Sequence, residues 1–293
     1  MMVLFLNQLI NGLHVGSIYA LIALGYTMVY GIVKLINFAH GDIIMVGAYT
    51  AVIALVTLNV SPPVALLATI LMCVLFGVVI ERIAYKPLRN SPRISSLITA
   101  IGVSMLLQNV ALLLFGAQSK PFPTLIHIQP LHFMDLQISF ITLLTIVVSA
   151  ALMVVLQLFI KTSKAGKAMR AASEDYSTAQ LMGINVNTTI TLTFAIGCAL
   201  AGIGAFLYVM AYPAVSPTMG SLPGLKAFIA AVLGGIGLMP GAMLGGFVMG
   251  VVESLTKAYI STQMSDAVVY SILIIVLLVK PTGLLGSKTF EKV

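Results

Sequence analysis

The sequence predicts an all-α, polytopic integral membrane protein with about eight or nine transmembrane helices. Of its 293 residues, 60% are hydrophobic and 8% are charged, and the mean hydropathy is +1.10. Apolar runs of about 20 residues, enough to cross a bilayer as a helix, recur along the chain. A soluble domain of this size does not require so much apolar surface. The composition therefore favours a single transmembrane domain over residues 1–293.

Seven regular spans are predicted, and a glycine-rich region lies between the sixth and the seventh. The regular spans are Leu9–Ile32, Ile43–Leu58, Val64–Ile80, Ile94–Phe115, Ile138–Ile160, Thr188–Tyr212 and Ala267–Val279. The second is short, and its helix could begin earlier, within Lys34–Asp42. Leu225–Gly250 contains too much glycine and proline for one regular helix. We expect two segments that meet near Met239–Gly241, which gives nine passes, or eight if one segment is re-entrant.

One long polar run, residues 161–187, interrupts the apolar sequence; we call it the polar segment. Ser173 followed by Glu174 and Asp175 predicts a helix start, because a capping hydroxyl and acids favour a helix N-terminus. Gly183 is placed to end that helix. The pattern predicts a short helix that presents a docking surface to a cytoplasmic protein. The alternative is an ordinary basic loop that only fixes orientation.

The basic residues predict the orientation. Residues 81–93, the polar segment and the C-terminal tail hold four, four and three of the 15 Lys and Arg residues. Since basic residues are enriched in cytoplasmic loops, we expect these three regions in the cytoplasm. The C-terminus is then cytoplasmic and the N-terminus periplasmic. The same rule explains the net charge of +7 without nucleic acid as a partner.

Lys34–Asp42, with the sequence KLINFAHGD, contains three candidate residues of a substrate pathway. Asn37, His40 and Asp42 bring polar groups to the edge of the membrane or into it. Ionisable groups there are costly and usually face a cavity or a partner. The alternative is an ordinary cytoplasmic turn between the first two spans.

The glycine-rich region supplies three further candidates, Gly234, Gly235 and Gly237. It is not a phosphate-binding loop, since no Gly-Lys-Ser/Thr sequence follows. Glycines in an apolar segment favour close helix packing. They also suit a broken helix whose end points at a polar substrate. Glu253 and Lys257, four residues apart, could pair on one helix face.

The sequence contains no pattern for catalysis within the chain. It has no metal-ligand cluster, no activated nucleophile and no ATP-binding loop. We therefore expect no enzyme activity, no bound metal and no bound cofactor. An energy source other than an ion gradient must then come from a partner protein.

Three segments resemble the permeases of branched-chain amino acid ABC importers. NGLHVGSIYALIALGYTMVYGIVKLINFAHGDIIMVGAYTA (residues 11–51) resembles their N-terminal signature. RAASEDYSTAQLMGINVNTTITLTFAIGCALAGIGAFL (residues 170–207) resembles the cytoplasmic coupling loop and the following span. AVLGGIGLMPGAMLGGFVMGVVE (residues 231–253) is similar to the glycine-rich C-terminal region. The resemblance covers nearly the whole chain in the same order and is closest to the H-type subunit.

The resemblance implies import of leucine, isoleucine and valine across the inner membrane. It implies a second homologous permease, two cytoplasmic ATPase subunits that use ATP and Mg, and a periplasmic amino-acid-binding protein. Residues 161–187 would be the coupling loop, although the family's strict Glu-Ala-Ala order is absent. The positions carried over to ATPase coupling are Arg170, Ala171, Ala172, Glu174, Ala179 and Gly183.

Two alternatives remain open from the sequence. The family also includes permeases for other amino acids, urea and short amides. A different class, an ion-coupled secondary transporter, would require an essential buried carboxylate, either Glu253 or Asp42.

Overall fold

The computed structural model describes residues 2–89, 91–125, 129, 131–133 and 136–286. These residues form eleven α-helices and four short strands. The helices are α1 (Met2–Val33), α2 (His40–Val52), α3 (Pro62–Ile80), α4 (Arg93–Phe115), α5 (Phe140–Thr162), α6 (Lys164–Glu174), α7 (Tyr176–Leu181), α8 (Val186–Ala211), α9 (Ser221–Gly234), α10 (Met239–Tyr259) and α11 (Ser265–Val279). A π-helical turn, Ile53–Thr57, extends α2, and the turns Glu81–Tyr85 and Lys86–Leu88 extend α3.

The all-α membrane fold predicted from the sequence is confirmed. Within the described part of the chain, seven helices are long and apolar enough to cross a membrane, and α9 and α11 are shorter apolar helices. These nine segments correspond to the nine that were predicted. Among the boundaries that differ, α1 already begins at Met2, α2 begins at His40 inside Lys34–Asp42, and α9 begins at Ser221, before the predicted Leu225. The break in the glycine-rich region falls between Gly234 and Met239, just before the expected meeting point.

The strands lie in the loops at one end of the bundle. β1 (Lys120–Pro121) pairs antiparallel with β4 (Ala214–Val215), and β2 (Leu131–Phe133) pairs with β3 (Leu136–Ile138). The first pair joins the loop after α4 to the loop after α8. This end lies opposite the polar segment, because α8 begins at the polar segment and ends beside β4.

Helix α1 is the centre of the bundle. Every residue from Gly16 to Val29 is buried, and α1 packs against α5, α8, α9 and α10. Its contact with α10 depends on glycines: a Cβ added at Gly250 would lie 2.2 Å from the Gly16 nitrogen. The close-packing role expected of glycine is therefore present along this helix pair.

Replacing Gly250 with valine is expected to destabilise the bundle. The new side chain meets the backbone of α1, which cannot move aside without separating the two helices, and overpacking typically costs about 1–3 kcal/mol or more. Gly102→Val is the matched control, because Gly102 is also helical and a Cβ there meets nothing within 4 Å. Unfolding in mixed detergent micelles measures the difference. Equal stabilities of the two variants would contradict this packing account.

Two helices begin inside the bundle, and the first of them is α2. After α1 ends at the polar-segment end, Lys34 adopts a φ of +57° and residues 35–39 run back between the helices. The His40 ring then packs on Tyr26 with ring centroids 4.7 Å apart. From there α2 leads to the opposite end, where Tyr49 stacks on Phe115, the last residue of α4. Residues 34–42 are thus not an ordinary turn at the membrane surface.

Helix α9 enters the bundle from the end opposite the polar segment. The chain passes from β4 through residues 216–220 into the bundle and starts α9 at Ser221. A Cβ added at Gly224 would lie 2.6 Å from the Gly41 Cα, so the first turns of α9 and α2 touch. Helix α9 then leads to the polar-segment end, where Gly237 approaches Gly31 of α1. The two short helices therefore meet at their N-termini and run apart in opposite directions.

Candidate functional sites

The polar segment is a rigid element of consecutive capped helices. Ser163 Oγ accepts a hydrogen bond from the Gly166 nitrogen at the start of α6. Asp175 Oδ1 accepts one from the Thr178 nitrogen at the start of α7. Asn185 caps α8 in the same way. Because each cap satisfies an otherwise free backbone N–H, the segment holds a defined shape.

The predicted helix start in this segment is wrong by two residues. Ser173 lies in the last turn of α6, and its hydroxyl donates to the Arg170 carbonyl oxygen. Asp175 is the residue that caps α7, and backbone N–H groups of Thr178 and Ser177 lower its pKa. The predicted stop is confirmed: Gly183 has a φ of +81°. The error arose because Ser and Asp are both good caps and lie two positions apart.

The six predicted coupling residues fall into three groups. Arg170, Glu174 and Gly183 are exposed. Ala172 and Ala179 are buried against the bundle, and Ala171 is half-buried between the two groups. The most exposed apolar side chains of the segment are Leu181 and Met182, with exposed fractions of 88% and 78%. The segment thus has a face that anchors it and an apolar tip that faces outwards.

Besides this apolar packing, two hydrogen-bonded contacts tie the polar segment to the rest of the protein. The Tyr176 hydroxyl donates to the Ile32 carbonyl oxygen at 2.5 Å, which joins α7 to the end of α1. Arg89 forms an ion pair with the fully buried Glu81 and also donates to Asn187 Oδ1. Asn187 lies in the first turn of α8, so this pair fixes the end of the α3 extension against α8.

A cavity of about 230 Å³ lies where α2 and α9 begin. Asp42 and the polar side chains Ser104 and Ser221 line it, and the aromatic rings of Phe38 and Phe228 form an apolar wall. Gln108 Nε2 donates to Asp42 Oδ1 at 2.9 Å. Ser104 is the central residue of α4, which places this cavity midway along the length of the bundle.

The other predicted pathway residues lie outside this cavity. Asn37 is buried and accepts a hydrogen bond from the Tyr85 hydroxyl. His40 is buried between Tyr26 and Gly25. Gly234 packs on the Gly241 carbonyl, and Gly235 and Gly237 have positive φ values in the turn before α10. The structure explains the three glycines by packing and by turn geometry, and their place in a pathway stays a prediction.

A second group of charges lies in the bundle around Glu253, which is 3% exposed. Its carboxylate accepts hydrogen bonds from Tyr19 at 2.8 Å, Lys226 at 2.8 Å and Lys257 at 2.6 Å. Lys226 also pairs with Asp266 at 2.7 Å. The expected pairing of Glu253 with Lys257 is therefore present, and two acids balance two lysines.

Sequence reasoning missed several residues of these sites. Lys226 carried a usable signal, because a lysine within an apolar run needs a partner. Gln108, Ser104 and Ser221 carried none: small polar residues are common in membrane helices. These three residues belong to a candidate site because the N-termini of α2 and α9 meet beside them in the fold.

The protein has a second, larger cleft at its surface. This cleft of about 490 Å³ lies beside Arg82 and Lys86 at the polar-segment end, but it opens on the bundle surface. The cavity at Asp42 is smaller and reaches the bundle interior, so it is the better candidate for a pathway. Among the described residues, no group of three or more His, Cys, Asp or Glu could hold a metal ion.

Comparison with known proteins decides the family. The sequence profile described as branched-chain amino acid transport system / permease component matches residues 8–277. The chain belongs to this family. BraD of Pseudomonas aeruginosa, a high-affinity branched-chain amino acid transport system permease protein, is 47% identical over 99% of this chain and 98% of its own length. LivH of Escherichia coli K12, with the same description, is 44% identical with the same coverage.

A more distant relative shows the same relationship. A probable branched-chain amino acid transport permease protein LivH of Methanocaldococcus jannaschii is 29% identical over 92% of this chain and 89% of its own length. The match to this permease family, residues 8–277, includes α2, α9 and the polar segment. The resemblance found in the sequence is therefore confirmed.

Proposed function

We propose that this permease is the transmembrane subunit of an ATP-binding-cassette importer for leucine, isoleucine and valine in the inner (plasma) membrane. The observation that carries the proposal is the whole-length identity of 47% and 44% to BraD and LivH. The structure supports it with a cavity inside the bundle and a rigid polar segment at one end.

The partner that supplies energy docks on the apolar tip of the polar segment. Leu181 and Met182 project from a short capped helix that is itself anchored through buried Ala179. Exposed apolar side chains on a rigid support are typical of a protein interface. Two cytoplasmic ATPase subunits, one for each permease of a pair, bind ATP and Mg and contact these tips.

The polar segment faces the cytoplasm and the N-terminus faces the periplasm. Lys161, Lys164, Lys167 and Arg170 gather at the polar-segment end, as do Arg82 and Lys86. This distribution agrees with the positive-inside rule. Lys288 and Lys292 of the tail, which entered the same prediction, lie outside the described residues. A periplasmic amino-acid-binding protein then delivers substrate to the end where β1 pairs with β4.

A second, homologous permease covers the open side of the cavity at Asp42. The cavity is bordered by α4, whose Ile101 is 45% exposed. Polar atoms at this depth cannot face lipid tails without a large cost, so a protein surface must cover them. The pathway therefore runs between two permeases, and lipid contacts the remaining apolar faces.

The contacts of the polar segment suggest how ATP is coupled to transport. When the ATPases close, they move α7, and the hydrogen bond from Tyr176 to Ile32 passes this movement to the end of α1. That end leads directly into residues 34–39, which position the start of α2. Movement of the tip thus alters the cavity, as alternating access requires.

Replacing both Leu181 and Met182 with serine is expected to detach the ATPase. Burial of each side chain at an interface is worth about 1.5–3 kcal/mol, so recovery of the ATPase should fall roughly tenfold or more. The measurement is affinity purification of the permease in mild detergent, with mass spectrometry of the co-eluting proteins. Gln180→Ser, an exposed change on the same helix, is the control.

Unchanged ATPase recovery from the double variant would contradict the docking surface. Leucine uptake by cells that carry each variant should fall in parallel with ATPase recovery. Uptake assays with urea, short amides and other amino acids test the substrate. Preference for any of these over leucine, isoleucine and valine would overturn the substrate assignment while leaving the ATPase contact intact.

A further inference from the structure

The cavity between the starts of α2 and α9 separates opposite charges. The N-terminus of a helix is equivalent to roughly half a positive charge, and two such termini meet here. Asp42 contributes one negative charge on the cavity wall. The site therefore carries little net charge but offers both signs a short distance apart.

Among the described residues, Asp42 has no positively charged partner. It is 2% exposed, and Gln108, its hydrogen-bond donor, is neutral. Within the described ranges, every ion pair that the structure contains joins other groups, around Glu81 and around Glu253. A buried carboxylate in a membrane protein normally has a cationic partner. The missing partner is available from a ligand that enters the cavity.

The other walls of the cavity match the rest of an amino acid. Ser221 starts α9, and its hydroxyl lines the cavity at the positive end of the helix dipole, where a carboxylate is favoured. Phe38, Ile101, Leu225 and Phe228 supply apolar surface for an aliphatic side chain. The volume of about 230 Å³ is below the roughly 300–1,000 Å³ typical of drug-sized ligands. It suits a single amino acid.

We propose that this cavity is a binding site for a zwitterionic aliphatic amino acid within the permease itself. Asp42 binds the ammonium group, the Ser221 hydroxyl at the N-terminus of α9 binds the carboxylate, and the Phe38 and Phe228 walls hold the side chain. This inference rests on the proposed import function and adds a substrate site in the chain. The permease then contributes to selectivity alongside the binding protein.

The test is protection of an introduced cysteine in the purified permease complex. Ile101→Cys places a thiol on the cavity wall without changing the polar groups. Ile98→Cys, on an exposed position of the same helix outside the cavity wall, is the matched control. The native Cys73 and Cys198 are fully buried, so an alkylating reagent should react with them slowly.

Millimolar leucine is expected to slow alkylation of Ile101→Cys and not of Ile98→Cys. Two analogues with the same side chain, 4-methylpentanoate without the ammonium and 3-methylbutylamine without the carboxylate, should protect poorly. Adding Asp42→Asn should weaken leucine protection roughly tenfold or more, as expected for loss of a hydrogen bond to a charged group. Asp42→Glu should restore part of it.

Each contrary result overturns a stated part of the proposal. Absence of protection by leucine at Ile101→Cys removes the site. Equal protection by the analogues removes the zwitterion pairing, without reliance on the folding of an Asp42 variant. Leucine import by the unmodified complex is measured in parallel. Import without protection refutes this site alone, whereas absence of import refutes the proposed function.

Discussion

Glu253→Ala is expected to destabilise the protein by about 3–5 kcal/mol, the usual cost of removing one partner of a buried ion pair. Among the described residues, the change leaves Lys226, which is 6% exposed, with Asp266 as its one remaining counter-charge. It also removes the acceptor for the Tyr19 hydroxyl. The free energy of unfolding, measured by titration with a denaturing detergent in mixed micelles, reports the loss.

Two further variants separate the ion pair from simple loss of volume. Lys257→Ala should cost about 0–1 kcal/mol, because the Lys257 side chain is 40% exposed and exposed pairs contribute little. The double variant Glu253→Leu/Lys226→Leu should lose less stability than the sum of the losses from Glu253→Leu alone and Lys226→Leu alone. In the double variant neither buried charge is left without its partner. Additive costs would contradict the account of this cluster.

Arg89→Ala is expected to have a comparable effect at the polar-segment end, again about 3–5 kcal/mol. Glu81 is fully buried, and Thr191 Oγ1 donates to its second oxygen at 2.8 Å. Without Arg89 the carboxylate loses the basic partner that it has among the described residues, and α3 loses its link to Asn187 at the start of α8. Thermal inactivation of the purified complex and unfolding in mixed micelles both measure this effect.

Arg82→Ala is the control for Arg89→Ala, because Arg82 is an exposed arginine of the same extension of α3. It should leave stability within about 0.5 kcal/mol. Similar losses from both variants would show that the positive charge of this region matters and that the buried pair does not. The Arg89–Glu81 pair also holds the start of α8, where the polar segment ends. Loss of this pair should therefore also weaken the coupling of the polar segment to the bundle.

Hydropathy predicted the membrane spans because each span must satisfy its backbone hydrogen bonds internally. The stop at Gly183 and the presence of a break in the glycine-rich region followed from local chain geometry, although the break falls before the expected Met239–Gly241. The path of residues 34–39 did not, since a short polar sequence between two spans suits a surface turn equally well. The packing of His40 against Tyr26 and Gly25 shows that the chain re-enters the bundle.

The candidate site was predictable only in part, because one of its residues carries a local sequence signal and the others do not. Asp42 was identifiable as an acid within apolar sequence. Its neighbours Ser221 and Gln108 are 179 and 66 positions away along the chain, and nothing local connects them to it. Asn37 and His40 shared the signal of Asp42, yet they lie buried against Tyr85 and Tyr26. Sequence alone could not separate the cavity residue from the packed ones.

ATP-dependent uptake by the reconstituted complex tests the central claim most directly. The permease and its co-purifying partners are placed in proteoliposomes with the binding protein, and entry of labelled leucine is followed. The account predicts uptake that requires ATP and the binding protein and that persists when proton and sodium gradients are collapsed. Uptake by the chain alone, driven by such a gradient and abolished by Glu253→Gln or Asp42→Asn, would contradict it in favour of an ion-coupled transporter.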